Sequence, residues 1–365
     1  MRIAGVLSGT SLDGIDVAVC SVAAAGAGVR VVCERFATVP FDAELRARIV
    51  AAYPPARIDA RELSALHAAV GEAFGDAVAQ IADGFALDAV ASHGLTLAHA
   101  GAAHHTLQIG DPFRIRERVH ATVISDFRSA DTAAGGSGAP LVPAVDVLLF
   151  GAFAPCVALN LGGIANLTVV PSGLAFDCGP ANLPLDTYVA LRTDGVLRRD
   201  EGGALALAGT PDAALLAELL ADPYFAAAPP KSTGREEYGA AFIAARRPQL
   251  DALALEDALA TLAALCVRTV AESVRRHAPQ ARLLIAAGGG VHNAALRGGL
   301  QAALPELRVT SSVAFGVDPD AKEAIAFAVL GHQTLHGLPG NLPQATGARG
   351  PRVLGTIAPV GNPLG

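Results

Sequence analysis

Two copies of one segment pattern constrain the fold of this chain more than any other sequence feature. In each copy, three apolar segments follow one another and are joined by turns rich in glycine. The six segments are residues 2–7, 15–22 and 29–39 in the first copy and residues 156–163, 164–170 and 174–179 in the second. Apolar segments of this length between turn residues are typical of β-strands. Helical and strand patterns alternate after each triplet, so we predict a duplication of whole α/β domains.

The regions after each triplet support this interpretation. Apolar residues at three- and four-residue steps predict an amphipathic helix that begins after Asp59, which has the position of an N-cap. Further helices are predicted from Asn293 and over residues 256–277 and 320–335, and residues 86–94 are predicted to be a short strand that ends in a loop. A length of 365 residues suits two domains. We place them at 1–140 and 141–365, with the last segment of the second packing back toward the first.

Composition narrows the class of protein. A hydrophobic content of 52% permits a large core, and a net charge of −7 without a basic run argues against nucleic acid as a partner. The five cysteines are widely spaced and contain no C-x-x-C pair, which is typical of small buried side chains in a reducing compartment. The longest apolar stretch, 147–159, is too short to span a membrane, and no signal-peptide pattern precedes the first strand. We therefore expect a cytoplasmic protein without a membrane partner.

The first turn, "GTSLDGID", has more polar groups than a hairpin needs. Backbone N–H groups of a glycine-rich turn bind anions, and hydroxyl groups add donors. Asp13 and Asp16 would repel phosphate unless Mg²⁺, held through water, lies between them. The alternative is an ordinary turn, because the same residue types are common there. The residues expected to bind a phosphate-bearing ligand are Gly9, Thr10, Ser11, Leu12, Asp13, Gly14, Ile15 and Asp16.

Two further glycine-rich turns lie in the second copy. "NLGGIAN" repeats the first turn, and Gly162, Gly163 and Asn166 are expected to face the same phosphates. "AAGGGVHN" joins a buried strand to a helix, and a triple glycine there suits close approach by a flat ring such as adenine. A tight strand–helix turn is the alternative. The residues assigned to this contact are Gly288, Gly289, Gly290 and Asn293.

Charged residues at strand ends are the candidates for chemistry. Asp177 follows a strand and precedes a Gly-Pro turn, where a lone carboxylate can act as general base or cap a turn. Arg128 lies between two carboxylates before a loop over 129–143, and it serves either a substrate carboxylate or a surface ion pair. Lys231 precedes "STGREEYG", where Thr233 and Glu236 have the spacing of a capping box.

Taken together, the motifs resemble those of the anhydro-N-acetylmuramic acid kinases. The resemblance covers essentially the whole chain and rests on motifs in the family's order, "GTSLDGID", "ASHG", "DFRSADTAAGGSGAPLVP", "NLGGIANLT", "FDCGPAN", "PPKSTGREEYG", "AAGGGVHN", "KEAIAFAVLG" and "GNLPQATGA". It implies two actin-like (ribonuclease H-like) domains, each a mixed central sheet flanked by helices, with the active site in the cleft between them. Four residues differ from the family pattern, namely Leu95, Ser137, Cys178 and Ala181.

The resemblance also implies a reaction. Water opens the internal bridge of 1,6-anhydro-N-acetylmuramic acid, a cell-wall recycling sugar, and O6 takes the γ-phosphoryl group of ATP. Asp177 matches the family's base, and ATP, Mg²⁺ and a homodimer are expected. The residues expected to contact the sugar are His93, Arg128, Asp131, Lys231 and Glu323. An actin- or chaperone-like ATPase and a glycosidase that acts without ATP are the alternative classes; the second would need another carboxylate paired with Asp177.

Overall fold

The computed structural model describes residues 1–9 and 12–361. The chain divides into two compact units. Unit 1 comprises Met1–Leu149 together with the chain from Gly316 onward, and unit 2 comprises Phe150–Phe315. The domain boundary expected at residue 140 falls before a helix that the structure assigns to unit 1, and the last segment belongs to unit 1 as well.

Twelve strands occur in the described residues, seven in unit 1 and five in unit 2. They are β1 (Arg2–Ser8), β2 (Ile15–Ala25), β3 (Gly28–Val39), β4 (Ala89–Ala100), β5 (His105–Ile109), β6 (Thr122–Ser125), β7 (Cys156–Leu161), β8 (Ile164–Val170), β9 (Ala175–Pro180), β10 (Leu283–Ala287), β11 (Arg308–Ser311) and β12 (Thr356–Ala358).

Fifteen α-helices occur in the same part of the chain. They are α1 (Ala43–Ala52), α2 (Ala60–Ile81), α3 (Pro112–Val119), α4 (Ser129–Ala133), α5 (Val142–Phe150), α6 (Asn182–Arg192), α7 (Ala204–Ala208), α8 (Ala213–Leu220), α9 (Pro223–Ala226), α10 (Arg235–Tyr238), α11 (Ala240–Asp251), α12 (Leu255–His277), α13 (Ala294–Ala303), α14 (Lys322–Leu335) and α15 (Pro343–Thr346).

The two sheets have the same topology, which confirms the predicted duplication and the α/β class. In unit 1 the order is β12-β6-β4-β1-β2-β3, with β5 paired to β4. In unit 2 the order is β11-β10-β7-β8-β9. Each sheet has an antiparallel triplet followed by parallel strands on the side of the first strand. Counted within the unit, the five strands of unit 2 have the order 3-2-1-4-5, that of a ribonuclease H-like domain. Unit 1 has the same order when β5, which pairs with β4 alone, is left out of the count, and β12 is an additional strand beside β6.

Local sequence explains where the long helices begin. The Asp59 carboxylate accepts hydrogen bonds from the N–H groups of Arg61 and Glu62, as the N-cap prediction requires. The Asn293 side chain caps α13 in the same way, through the N–H groups of Ala295 and Leu296. Each cap satisfies donors that have no partner in the first turn of a helix, and such a cap contributes about 1 kcal/mol.

Both faces of the unit 1 sheet are covered. On one face, α2 packs on alternate residues of the central strands in a fully buried cluster that includes Val6, Val17 and Val90. On the other face, α14 packs on β1, β2 and β4. The approach is close at Gly5, where a Cβ atom would collide with the carbonyl oxygen of Ala324. Gly5 therefore lets α14 lie directly on the sheet, which sets the position of the residues at the start of that helix.

Three local predictions were wrong. The strand predicted at 86–94 continues to Ala100 and pairs with β5, and the loop predicted after Arg128 contains α4. The capping box predicted from Thr233 and Glu236 is replaced by a glycine N-cap, Gly234, whose N–H donates to Glu237. The longer β4 depends on its pairing with β5, which a short window does not contain. The shift at Gly234 is a local choice between neighbouring N-cap residues.

No single helix in the described residues is long and apolar enough to cross a membrane. Two helical segments bent relative to each other, Glu201–Ala208 and Ala213–Leu220, could together cross one by length and composition only.

Candidate active site

A row of polar side chains crosses three neighbouring strands of unit 2. Asn160 on β7 lies opposite Asn166 on β8, and Asn166 lies opposite Asp177 on β9. Directly opposed residues of antiparallel strands share one face of the sheet. The neighbours of these residues along each strand, such as Leu159 and Cys178, belong to the core on the other face. The row is therefore a polar strip on the face turned away from the core, and all three side chains are half-buried.

Asp177 is held by a loop distant in sequence. Its Oδ2 accepts a hydrogen bond from the N–H of Thr233 at 3.0 Å, and its own N–H donates to the carbonyl of Lys231 at 3.2 Å. The backbone carbonyl of Asp177 accepts from the hydroxyl of Tyr224 at 2.9 Å. Burial raises the pKa of the carboxyl, and the Thr233 N–H and the Lys231 ammonium oppose that rise. A fixed carboxylate with a raised pKa has the properties of a general base.

The ammonium group of Lys231 is bonded to nearby backbone carbonyls of the protein. Its ammonium donates to the carbonyls of Tyr224 and Phe225 and lies 4.6 Å from the centroid of the Tyr224 ring. Burial lowers its pKa. These contacts tie the loop before Thr233 to α9, so they support the backbone that holds Asp177.

The two glycine-rich turns of unit 2 have different surroundings. A Cβ at Gly288 or Gly290 would press on Asn160 or Leu161 of the neighbouring strand, whereas one at Gly289 would meet open space. The carbonyls of Gly162 and Gly163 accept hydrogen bonds from the backbone at the start of α6. The side chain of Asn293 is used as the cap of α13 and is buried. The triple glycine is thus a close strand–helix turn, with Gly289 exposed on it.

In unit 1, the first turn is closed by its own hydrogen bonds. The N–H of Leu12 donates to the carbonyl of Gly9 at 3.1 Å, and the hydroxyl of Ser8 donates to the carbonyl of Gly14 at 2.8 Å. Leu12 and Ile15 are buried in the core, so only their backbones are available to a ligand. Thr10 and Ser11, which were predicted to bind phosphate, lie outside the described residues.

Carboxylates gather near this turn. Asp16 accepts a hydrogen bond from the hydroxyl of Thr38 on β3 at 2.6 Å. Burial raises the pKa of Asp16, and the nearby carboxylates of Asp13 and Asp320 raise it further. Glu323 lies at the start of α14, where loss of hydration and the Asp16 carboxylate raise its pKa although its side chain is accessible to solvent. A bound cation would offset the repulsion among these carboxylates.

His93 occupies a β-bulge. Opposite β1, Ser92 pairs with Val6 and Gly94 pairs with Leu7, so His93 is the extra residue on β4. A bulge re-aims the side chain that it carries. The imidazole packs on the Phe327 ring of α14, with ring centroids 4.6 Å apart. Gly94 has a φ of +78°, and a Cβ there would press on a carbonyl of β5, so the bulge requires glycine at this position.

Arg128 joins His93 to the loop that follows it. The guanidinium donates from Nε to Nε2 of His93 at 3.0 Å and from Nη1 to the carbonyl of Gly138 at 2.7 Å. Burial lowers the pKa of Arg128 to about 10, while the carboxylates of Glu323 and Asp131 act to raise it. Of its three nitrogens, Nη2 alone makes no hydrogen bond to the described part of the chain. Both N–H groups of Nη2 and the second N–H of Nη1 therefore remain for a ligand, and the two-point contact with a substrate carboxylate stays a prediction.

Asp131 is turned into the protein. The side chain is 0% exposed, and its oxygens accept hydrogen bonds from the N–H of Gly138, the amide of Asn341 and the hydroxyl of Thr346. A Cβ at Gly136 would collide with the same carboxylate. The three donors come from the loop after α4 and from residues 341–346, and the carboxylate joins these two segments, which is a structural arrangement.

A pocket of about 200 Å³ lies in unit 1 beside these residues. Its lining includes His93, Gln108, Asp126, Ser129 and Ser92. The Ser92 side chain is 1% exposed, and its hydroxyl oxygen has no hydrogen-bond partner within the described residues. A buried hydroxyl without a partner is uncommon and costs about 1–3 kcal/mol, so a polar ligand group in this pocket would relieve it.

The residues fit Mg²⁺ only in part. Across residues 1–9 and 12–361, no group of three or more His, Cys, Asp or Glu side chains is arranged to hold a metal ion. Asp13 and Asp16 supply two carboxylates, which is the number that Mg²⁺ uses when waters and phosphate oxygens complete its shell. This donor set fits a metal that arrives with a phosphate ligand.

Sequence reasoning missed three polar residues that the structure places in these clusters. Asn160 is the one polar side chain in the apolar strand β7, and this interruption is the sequence feature that could have indicated it. Thr38 and Ser92 have no distinguishing local pattern, because their importance depends on Asp16 and on the pocket.

Comparison with known proteins identifies the family of this chain. The family model described as anhydro-N-acetylmuramic acid kinase matches residues 1–360. The chain belongs to this family. Relatives of that name include one from Rhodococcus erythropolis, 43% identical, with 98% of this chain and 94% of the relative covered. Another, from Xanthomonas campestris pv. campestris, is 45% identical over 97% and 96%.

Membership of the anhydro-N-acetylmuramic acid kinase family confirms the prediction that the chain is a kinase. Among solved structures, the activator of the 2-hydroxyisocaproyl-CoA dehydratase from Clostridium difficile matches with a TM-score of 0.43 and 12% identity, over 90% of this chain and 93% of that one. A similarity at that level indicates nothing about ligands.

Proposed function

We propose that this chain uses ATP to phosphorylate O6 of 1,6-anhydro-N-acetylmuramic acid and that water opens the anhydro bridge in the same reaction. The product is N-acetylmuramic acid 6-phosphate, and the cellular role is recycling of cell-wall amino sugars. Family membership supports the kinase class and the sugar. The observation that carries the proposal is Asp177, whose carboxylate is fixed at the end of a polar row and has a raised pKa.

Asp177 is proposed as the general base. Its carboxylate takes a proton from water while the water oxygen forms a bond to the anomeric carbon and the bond from that carbon to O6 breaks. The negative charge of the carboxylate also stabilises the oxocarbenium-like transition state. The O6 oxygen keeps the bonding electron pair and attacks the γ-phosphorus of ATP, and ADP leaves. The hydrogen bond from Thr233 orients the carboxylate through Oδ2. Oδ1, which accepts no hydrogen bond within residues 1–9 and 12–361, is the oxygen proposed to accept the proton.

Phosphate binding is proposed for backbone groups and hydroxyls rather than for cations. In unit 1 this role falls to the turn from Gly9 to Asp16, and in unit 2 to the turn at Gly162 and Gly163. The carbonyls of that second turn are already bonded to α6, whereas its two N–H groups donate no hydrogen bond within the described residues. Such unbonded N–H groups are the donors that an anion-binding turn supplies. Exposed Gly289 is proposed to lie against the adenine ring, with Gly288 and Gly290 shaping the turn.

Asp13 and Asp16 would hold Mg²⁺ through water. When bound, the ion would neutralise phosphate charge during transfer. Asp16 suits this role because burial, and then the carboxylates of Asp13 and Asp320, raise its pKa, and a cation would offset both effects. Thr38 orients Asp16 by its hydrogen bond.

The sugar is proposed to bind beside Arg128, His93 and Glu323. The two N–H groups of Nη2 and the second N–H of Nη1 are proposed to donate to the lactyl carboxylate, and His93 fixes the guanidinium through Nε. The pocket at Ser92 lies next to His93 and suits a polar substituent of the sugar. We propose structural roles for Asp131 and Lys231, because their polar atoms are bonded to the protein.

One assay tests the function. The protein is incubated with ATP, Mg²⁺ and the anhydro sugar, ADP is followed, and the sugar product is weighed by mass spectrometry. We expect ADP only when the sugar is present, and a product mass equal to the sugar plus one water plus one phosphoryl group. ADP formation without sugar would support an ATPase instead. Ring opening without ADP would support a glycosidase.

A homodimer and a cytoplasmic location are also proposed, on the resemblance alone. Light scattering during size-exclusion chromatography tests the first, and fractionation of the producing cells tests the second.

A further inference from the structure

Two cysteines that are thirteen positions apart in sequence lie directly opposite each other in unit 1. Cys20 on β2 and Cys33 on β3 are cross-strand partners, next to a shift of register that follows Val19. By alternation along β2, Cys20 points away from the cluster that contains Val17 and Val19, so both thiols lie on the α14 face of the sheet. Opposed residues of antiparallel strands have Cα atoms about 4.5–5.5 Å apart, within the range of a disulfide.

The two thiols have different environments. Cys20 is fully buried, whereas Cys33 is half-buried at the edge strand of the sheet. Each Sγ also contacts a backbone carbonyl of its own strand, that of Ala18 for Cys20 and that of Arg35 for Cys33. The accessible member of the pair is therefore Cys33, with Cys20 directly behind it.

The electrostatics agree with this order of reactivity. A hydrogen bond from the Cys20 thiol lowers the pKa of Cys33, although burial and the carboxylates of Asp318 and Glu34 act in the opposite direction. The same hydrogen bond, and then burial, raise the pKa of Cys20. The thiolate is the form that attacks peroxides, so the partner that is both accessible and more acidic reacts first.

We propose that Cys33 and Cys20 form a dithiol site that hydrogen peroxide oxidises to a cross-strand disulfide, with Cys33 as the attacking thiolate and Cys20 as the resolving thiol. In the first step, the Cys33 thiolate attacks one peroxide oxygen and the O–O bond breaks. Cys33 becomes a sulfenic acid, and hydroxide leaves and is protonated to water. In the second step, the Cys20 sulfur attacks the sulfenic sulfur. The S–O bond breaks, the Cys20 proton and the hydroxyl leave as water, and the disulfide remains.

A metal site is the other use of a thiol pair, and the structure does not favour it. Zinc sites take three or four protein ligands, and no third His, Cys, Asp or Glu completes a ligand group within residues 1–9 and 12–361. The site is independent of the proposed kinase function, since none of the residues assigned to ATP or sugar takes part.

The remaining cysteines provide internal controls. Cys156, Cys178 and Cys266 are buried in unit 2. Burial raises the pKa of Cys178 to about 12 and raises that of Cys266 further. We expect the Cys33 thiol to be lost at least about tenfold faster than the Cys266 thiol, because only the thiolate reacts.

Peptide mass spectrometry tests the proposal without reference to activity. The reduced full-length protein is treated with hydrogen peroxide, alkylated with iodoacetamide and digested with trypsin. Cleavage after Arg30 places the two cysteines on separate peptides, residues 3–30 and 31–35. We expect these peptides to be joined, with a mass two hydrogens below their sum, and to separate again after dithiothreitol. Alkylated Cys156, Cys178 and Cys266 should dominate in the same sample.

Two variants assign the roles. In Cys20→Ser, Cys33 should accumulate a sulfenic acid that dimedone traps; in Cys33→Ser, Cys20 should stay reduced. Cys266→Ala is the control and should still form the joined peptides at the wild-type rate. The proposal would be overturned if folded wild-type protein gave no joined peptides, if Cys33 linked two chains instead, or if Cys20 were oxidised equally fast in Cys33→Ser.

Discussion

Arg128 donates a hydrogen bond from Nε to Nε2 of His93 at 3.0 Å. An imidazole nitrogen that accepts from a guanidinium cannot carry a proton of its own, so the Nδ1 of His93 holds the single proton and donates to the carbonyl of Gly94 at 3.1 Å. Burial, followed by the Arg128 charge, lowers the pKa of His93 to about 3. His93 is therefore a neutral support for Arg128 at working pH rather than an acid or base.

The first prediction concerns the role of Arg128. Arg128→Lys keeps the charge but cannot reach His93, Gly138 and a substrate carboxylate together, because an ammonium lacks the planar fork. We expect the KM for the sugar to rise about tenfold or more, which corresponds to the loss of one charge-assisted contact, while the KM for ATP stays unchanged. Initial-rate kinetics with each substrate varied in turn checks this. Arg114→Lys, at an exposed ion pair, is the control. Equal changes in both KM values would contradict the role in sugar binding.

The second prediction follows from the neutral state of His93. A group whose folded pKa is lowered stabilises the fold above its unfolded pKa and loses that contribution as pH falls. In wild type, stability should therefore decline between pH 6.5 and pH 3, by up to about 1.4 kcal/mol per pH unit from this residue. His93→Asn should show a shallower decline over pH 6.5 to 5. Guanidinium unfolding at both pH values measures the difference, and parallel declines would count against a buried neutral imidazole.

Asp177→Asn tests the general base. The amide keeps the size of the side chain and can still accept from the N–H of Thr233, but it cannot accept a proton. Loss of a general base costs about 10²–10⁴ in kcat. Calorimetric binding of ATP and sugar should be near normal, and Tm should change little. Asp212→Asn, which caps α8 by a similar backbone contact, should retain kcat. A stable Asp177→Asn protein with more than about a tenth of wild-type turnover would contradict the assignment.

The pH dependence of kcat tests the role of the Asp177 carboxyl in a second way. The wild-type kcat should fall as pH drops through the pKa of Asp177, because the protonated carboxyl cannot act as a base. That pKa is raised by burial, so the acid limb should lie above the ordinary value of 3.8.

The pocket beside His93 gives a prediction for Ser92, which is one of its lining residues. Ser92→Ala removes a buried hydroxyl whose oxygen has no partner in the described residues. Without ligand, the variant should be as stable as wild type or up to about 1 kcal/mol more stable, because the cost of burying the hydroxyl is gone. With sugar, the KM should rise, because the hydroxyl would no longer meet a polar group of the substrate. Thermal melts with and without sugar measure both effects; an unchanged sugar KM would remove this pocket from the site.

A variant of Asp131 distinguishes a structural role of this residue from the sugar-binding role predicted from the sequence. Asp131→Asn replaces one acceptor oxygen with a donor, which opposes a donor from Gly138, Asn341 or Thr346. We expect a loss of about 1–3 kcal/mol in the free energy of unfolding and an almost unchanged sugar KM at a temperature where the variant is folded. Denaturant titration and kinetics on one preparation check this. A large rise in KM without loss of stability would restore the binding role.

The sequence by itself determined the duplicated strand triplets, the caps at Asp59 and Asn293 and the family, because these depend on short patterns or on motifs kept in order. The tertiary structure alone decided which polar residues meet. Asp131 and Arg128 look alike as charged residues after β6. The Asp131 carboxylate is enclosed by donors that include Asn341 and Thr346, whereas Nη2 of Arg128 makes no hydrogen bond within the described residues. Cys20 and Cys33 likewise read as two isolated thiols, and only the register of β2 on β3 makes them neighbours. Hydrogen bonds and cross-strand contacts act over a few ångströms, and the fold, not the spacing along the chain, sets which groups come within that distance.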